Sequence, residues 1–142
     1  MDEMSLQGRG MKVINTVKKK KPISLNTLRD KAQKEFNKYI RVRDIDKGCV
    51  SCKSGKVEQA SHFYSAGQFT ALRFNEDNVH GSCLRCNYFL SGNLLPYRET
   101  LLKRIGEQRL SLLESTATRQ RIKKWSRFEL EALYYHYKLL NG

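Results

Sequence analysis

The chain has 142 residues, 39% of them apolar, and carries 27 Lys and Arg against 14 Asp and Glu, a formal charge of +13. That size and apolar share fit one small globular domain and exclude a disordered chain; no eighteen-residue apolar run is present, which excludes a transmembrane helix. The opening MDEMSLQGRG has neither region of a secretory signal, so the expectation is a soluble cytoplasmic protein whose surplus positive charge meets a polyanion, most simply nucleic acid.

Residues 1–24 show no hydrophobic period and contain Lys18, Lys19, Lys20 and Lys21 before Pro22, which reads as a flexible basic arm. The rest, 25–142, reads as a single domain in three stretches. The first, 25–48, is a basic helix: from a cap at Asn26 or Thr27, apolar residues recur at Leu28, Ala32, Phe36 and Ile40 over about four turns, with Tyr39 beside them. Lys34, Lys38 and Arg41 lie on its other faces, where they suit phosphates. In the second stretch, 49–93, the segments 56–63 and 69–74 read as two strands joined by a turn at Ser65-Ala66-Gly67. A polar loop follows at 75–78, then a short helix over 83–90 that stops at Gly92. The third stretch, 94–142, holds helices: one with Pro96 in its first turn and its end at Gly106, a second around Leu110, Leu112 and Leu113, and a last one to about Leu140. Ser126-x-x-Glu129 gives that last helix a capping box, with Trp125 and Leu130 as a hydrophobic staple.

Net charge is +7 over 1–48, +1 over 49–93 and +5 over 94–142. Arg73, Arg121, Lys123 and Lys124 join the basic residues of the first helix as the expected DNA-binding set, so the flanks grip and the nearly neutral centre does something else.

That centre contains every cysteine of the chain, as Cys49-x-x-Cys52 and Cys83-x-x-Cys86. Four buried small hydrophobes or a redox dithiol are the plainer alternatives, but two copies of the spacing favour one structural Zn²⁺ closed by four thiolates. The thirty residues between the pairs form an insert pinned at both ends, and His62 lies inside it, at the predicted end of the first strand. His136 sits among tyrosines on the last helix, where packing is the expected role. A strand-end His, a loop Asn (Asn78) and a helix-start Asn (Asn87) are what a one-metal phosphodiester hydrolase needs: one group activates water, one orients that group, one holds a divalent ion at the phosphate.

Cys49-x-x-Cys52, His62, Asn78, Cys83-x-x-Cys86 and Asn87 together resemble the zinc-containing HNH or ββα-metal nucleases, phage endonuclease VII among them. More closely, the stretches Lys38-Tyr39-Ile40-Arg41-x-Arg43-Asp44, Leu72-Arg73-Phe74-Asn75-Glu76-x-Asn78-x-His80, Cys83-x-x-Cys86-Asn87 and Leu90-Ser91-Gly92-Asn93 resemble the phage-lambda NinG (Rap) family of recombination nucleases. The resemblance implies an α+β fold: a zinc-stapled ββα-metal, treble-clef-like core flanked by basic amphipathic helices. It implies cutting of branched double-stranded DNA, such as Holliday junctions and D-loops, with His62 as general base, Asn78 orienting it and Asn87 as ligand of a catalytic Mg²⁺ or Mn²⁺. Two departures stand out. Ser61 precedes His62 where endonuclease VII has an acidic ligand, and Gln59 stands where NinG relatives typically carry Asp. His80, Glu58 and Asp77 are the further candidates for that ion or for substrate. Symmetric cleavage of a junction by so small a chain suits a homodimer, and a bacterial host cell, free or at the nucleoid, is the implied setting. The competing function class is a non-catalytic zinc module that binds DNA with the same cysteines and flanks.

Overall fold

The computed structural model describes residues 21–142. Most of the basic arm, including Lys18, Lys19 and Lys20, therefore lies outside the described residues.

Helix α1 runs from Leu25 to Asp44 and buries Leu28, Ala32, Phe36 and Ile40, the stripe the sequence predicts. Its cap is Ser24 rather than Asn26 or Thr27: the Ser24 hydroxyl accepts the Thr27 N–H at 3.1 Å. It ends at Asp44, short of the 25–48 expected, and residues 45–47 form a turn. The last helix, α3 (Arg127–Leu140), packs on α1. Its capping box is complete, Ser126 accepting from Glu129 N and the Glu129 carboxylate accepting from Ser126 N. Trp125 and Leu130 both reach the α1–α3 cluster, where Phe36 meets Phe74 and Tyr137 edge to face at 5.7 and 5.0 Å. His136, expected to pack, is exposed and meets Tyr137 edge to face at 4.8 Å.

The sheet differs most from the sequence pattern. Strand β1 is Gln59–His62, shorter than the 56–63 expected, and it pairs antiparallel with β2, Val79–Ser82, Ser61 facing His80 and His62 facing Val79. The segment 69–74, expected as the second strand, instead makes a 3₁₀ turn at Thr70–Leu72. Its aromatic and apolar residues look like a strand because they serve two clusters: Leu72 packs with Tyr97 and Leu101, and Phe74 with Phe36. A four-residue strand with one apolar side chain carries no alternation, yet all of β2 is buried, with Val79 toward α1 and His80 toward the opposite helix.

That opposite helix, α2, spans Leu94–Arg119 and buries Tyr97, Leu101, Leu110 and Leu113. It starts two residues ahead of Pro96, and at Gly106 the backbone leaves helical geometry at φ 83°, ψ 169°, a conformation open to glycine without strain. Two helical rods thus meet at Gly106, as expected, but without a loop between them. The stretch expected as a short helix over 83–90 is a single π-helical turn, Arg85–Phe89, and Gly92 ends it with φ 93° and its N–H on the Cys86 carbonyl. No helix of the described residues is long and apolar enough to cross a membrane.

Asp44 fastens α1 to β2. Fully buried, its carboxylate takes Arg43 from the side (Nε–Oδ1 2.7 Å, Nη2–Oδ2 2.9 Å) and the Gly81 N–H at 2.8 Å, with Arg104 Nη1 at 3.6 Å. Burial alone would raise its pKa, but the Arg43 and Gly81 hydrogen bonds outweigh it and hold the carboxyl below its ordinary value. The Asp44→Ala variant should lose about 3–5 kcal/mol of unfolding free energy at pH 7, since Arg43 would be left half-buried without its partner. A group with a depressed native pKa stabilises above the unfolded value and loses that effect as pH falls through the native one. Urea melts of wild type and variant should therefore converge in acid.

Candidate functional site

The four cysteine sulfurs lie within 4.8 Å of one another, with Cys52 Sγ to Cys83 Sγ at 3.7 Å. A tetrahedron with Zn–S bonds of about 2.3 Å has edges of about 3.8 Å, so the donor set fits zinc and leaves no open position. Hydrogen bonds from Ser54 bring the Cys52 thiol down to about 6, whereas burial pushes Cys86 up to about 12. Zinc binding must therefore displace a proton from the buried side of the cluster.

His62 lies at the end of β1, half-buried, with Nε2 2.9 Å from the Arg73 carbonyl oxygen. A carbonyl only accepts, so Nε2 carries the proton and Nδ1 keeps its lone pair. Burial, with the Arg73 charge adding to it, lowers the pKa and favours the neutral ring, although the carbonyl bond acts the other way. The ring lines a cleft of about 470 Å³ shared with Ser91, Leu94 and Arg98.

Asn78 is fully buried, and its amide bonds the Tyr64 N–H (2.8 Å) and the carbonyls of Tyr64 (3.0 Å) and Leu72 (3.1 Å). It makes no hydrogen bond to His62 among the described residues. It ties the chain leaving β1 to the residue before Arg73, so its hold on the imidazole runs through backbone. Asn87 places its amide 3.4 Å from Gln59 Oε1. Gln59 and Ser61 project from one face of β1 and His62 from the other, and the Ser61 hydroxyl is buried without a partner.

Two of the three further candidates, Asp77 and His80, are held by arginines and backbone. Glu58 accepts the Leu84 N–H at 3.2 Å, and Asp77 is clamped by Arg109 through two hydrogen bonds. His80 is 3% exposed, its Nε2 donating to the Asp77 carbonyl (3.0 Å) and its Nδ1 facing the guanidinium groups of Arg43 and Arg104 at 3.3 Å. Burial, reinforced by those arginines, brings it down to about 4, a neutral brace. Asp77 and His80 line a separate cleft with Arg43, Lys47, Arg104 and Arg109, away from His62. Tyr97, whose hydroxyl donates to the Ser61 carbonyl at 2.6 Å, and Arg104 support the sheet without having been singled out, and Arg43 and Asp44 were quoted in a motif without a role. The signal available was the adjacent Arg43-Asp44 pair at a helix end.

Arg73 serves two surfaces. Its carbonyl holds His62, while its side chain lines a cleft of about 350 Å³ with Arg29, Lys123, Lys124 and Trp125. Lys123 pairs with Glu129 at 2.7 Å and lies over the Trp125 ring. Lys21, Lys34, Lys38, Arg121 and Lys124 are exposed and Arg41 is half-buried, so the fold gathers Arg73, Lys123 and Lys124 at one cleft and leaves the helix lysines on a separate face.

A family model described as Bacteriophage Lambda NinG protein matches residues 8–140. A protein ninG of Escherichia phage lambda is 39% identical over 109 residues, which cover 75% of this chain and 52% of the relative. Those of Escherichia phage 933W and Salmonella phage P22 are each 38% identical over 109 residues and 75% of this chain, covering 53% and 52% of their own lengths. The chain thus spans about half the length of the curated relatives it matches. No solved structure matches it.

Proposed function

This chain belongs to the bacteriophage lambda NinG family, and on that premise we propose that it is a metal-dependent, structure-selective endonuclease of branched DNA with an HNH-like ββα-metal core. The observation that carries this is His62: a neutral imidazole, its Nε2 proton held by the Arg73 carbonyl and its Nδ1 lone pair unpaired among the described residues, on a cleft beside a basic surface. In that state it takes a proton from water attacking phosphorus. The Arg73, Lys123 and Lys124 cleft and the exposed lysines of α1 supply the phosphate grip.

A divalent ion, when bound, supplies charge stabilisation at the phosphate and the leaving 3′ oxygen. Asn87 and Gln59, 3.4 Å apart, carry hard oxygens of the kind Mg²⁺ takes, but Gln59 and the buried Ser61 hydroxyl lie on the face of β1 opposite His62, so these residues do not form one site with the base. No carboxylate is placed among them: Asp77 is held by Arg109, and Glu58 gives one oxygen to the Leu84 N–H. That same observation favours the second function, a zinc-stapled module that binds DNA without cutting it.

Incubation with a four-way junction, a D-loop and linear duplex, with and without Mg²⁺ or Mn²⁺, separates the two. The nuclease cuts the branched substrates in preference to the duplex and only with metal, leaving 5′-phosphate and 3′-hydroxyl ends. Tight junction binding with no cutting in either metal would leave the binding module.

A further inference from the structure

The π-helical turn after the second cysteine pair displays two aromatic side chains side by side. Tyr88 is 73% exposed and Phe89 69%, and their aromatic contact is with each other, edge to face at 5.1 Å. Leu84, Leu90, Leu94 and Leu95 are exposed around them. So much apolar surface in one place marks a binding site rather than chance exposure. The turn beneath is fixed, because Cys86 is buried in the metal cluster, the Leu90 N–H closes on the Arg85 carbonyl at 2.9 Å and Gly92 N–H closes on Cys86 at 2.8 Å. The rings therefore stand on a rigid support.

Charge and position identify the occupant. Residues 84–98 contain no acidic side chain. Arg98 is paired with Glu114 at 2.7 Å and Glu58 reaches the Leu84 N–H, but Arg85 beside the aromatic pair has no ion pair among the described residues, so an anionic partner with flat apolar faces suits it. A second copy of the chain would add a like charge at Arg85. Tyr88 directly follows Asn87, and Ser91 and Leu94 of this surface also line the His62 cleft, so whatever covers it continues into that cleft. Fully paired duplex keeps its base faces stacked inward. A branch point offers unstacked ones.

We propose that Tyr88 and Phe89 form a stacking surface for unpaired nucleobases at the branch of a DNA substrate, with Arg85 on the adjoining phosphates. This rests on the branched-DNA function proposed above and gives it a structural source of selectivity. Base–aromatic stacking is worth on the order of a factor of ten in affinity for each base engaged.

The test uses the full zinc-loaded chain without Mg²⁺ or Mn²⁺, so that binding is read apart from cutting. The probes are a junction with unpaired bases at its branch, one of them 2-aminopurine, and a linear duplex. The expected result is quenching of the 2-aminopurine, lost together with about 10–100-fold in junction affinity, for one or two bases engaged, in a Tyr88→Ala/Phe89→Ala variant whose melting temperature and duplex affinity are unchanged. Tyr88→Phe should keep quenching and Tyr88→Leu weaken it, which separates stacking from general apolarity. Equal losses on junction and duplex, no loss on either, a dimer in sedimentation that the double variant breaks, or binding to anionic vesicles in place of the junction would each overturn the stacking surface. If wild type quenches but never cuts, the endonuclease falls and the stacking surface stands. If the double variant cuts branched DNA at the wild-type rate, the reverse holds.

Discussion

Replacing His62 with alanine should lower metal-dependent cutting of branched DNA by about 10²–10⁴-fold, the usual contribution of a general base, while junction affinity stays close to wild type. The imidazole is half-buried and bonds one carbonyl, so its removal costs one neutral hydrogen bond to Arg73 and little of the core. A thermal melt within a few degrees of wild type is the necessary control. The pH profile adds a readout that a packing role would not move. Burial, with the Arg73 charge, lowers the pKa of His62 from its ordinary 6.5, so the base form persists further into acid. The acid limb of kcat/KM should accordingly lie below pH 6.5 and vanish in the variant's residual activity. Unchanged cutting by His62→Ala would end the proposed chemistry.

Denying the four cysteines a zinc ion should have the other large effect. Cys49 is fully buried, and its neighbour Val50 packs with Leu72, Tyr97 and Leu101, so the metal cluster and the α2 core share a strand of chain. Structural zinc contributes about 10–16 kcal/mol in small metal-folded domains. A domain of this size has about 5–15 kcal/mol in total. Cys49→Ser, or treatment with a chelator that outcompetes three or four thiolates, should therefore abolish the cooperative melt of the sheet and α2. The α1–α3 cluster contains no cysteine, so part of the helical circular-dichroism signal should remain. A metal-free sample with an unaltered melt would show that the four thiols pack without an ion.

How much of the site could be seen in the sequence varied with how local its causes were. The cysteine pairs were legible because metal-ligand spacing is a short-range property, and their sulfurs do converge. The partners of Asn78 were not. Its position in a recurring motif marked it, but only the folded chain shows that it bonds Tyr64 and Leu72 rather than the imidazole. Glu58 and Asp77 were reasonable metal ligands by charge, and only the folded chain shows Asp77 clamped by Arg109 and one Glu58 oxygen at the Leu84 N–H.

By itself, then, the sequence determined the four-thiolate cluster, the buried stripe of α1, the capping box of α3 and the break at Gly106, because each depends on residues within a few positions of one another or on the chemistry of one side chain. Only the tertiary structure decided that Val79–Ser82 is the second strand, that 69–74 is a crossing turn between two clusters, and that His62 Nε2 meets the Arg73 carbonyl while Nδ1 has no hydrogen-bond partner among the described residues. Those features come from pairings between segments ten to sixty residues apart, with burial and hydrogen-bond satisfaction overriding local propensity.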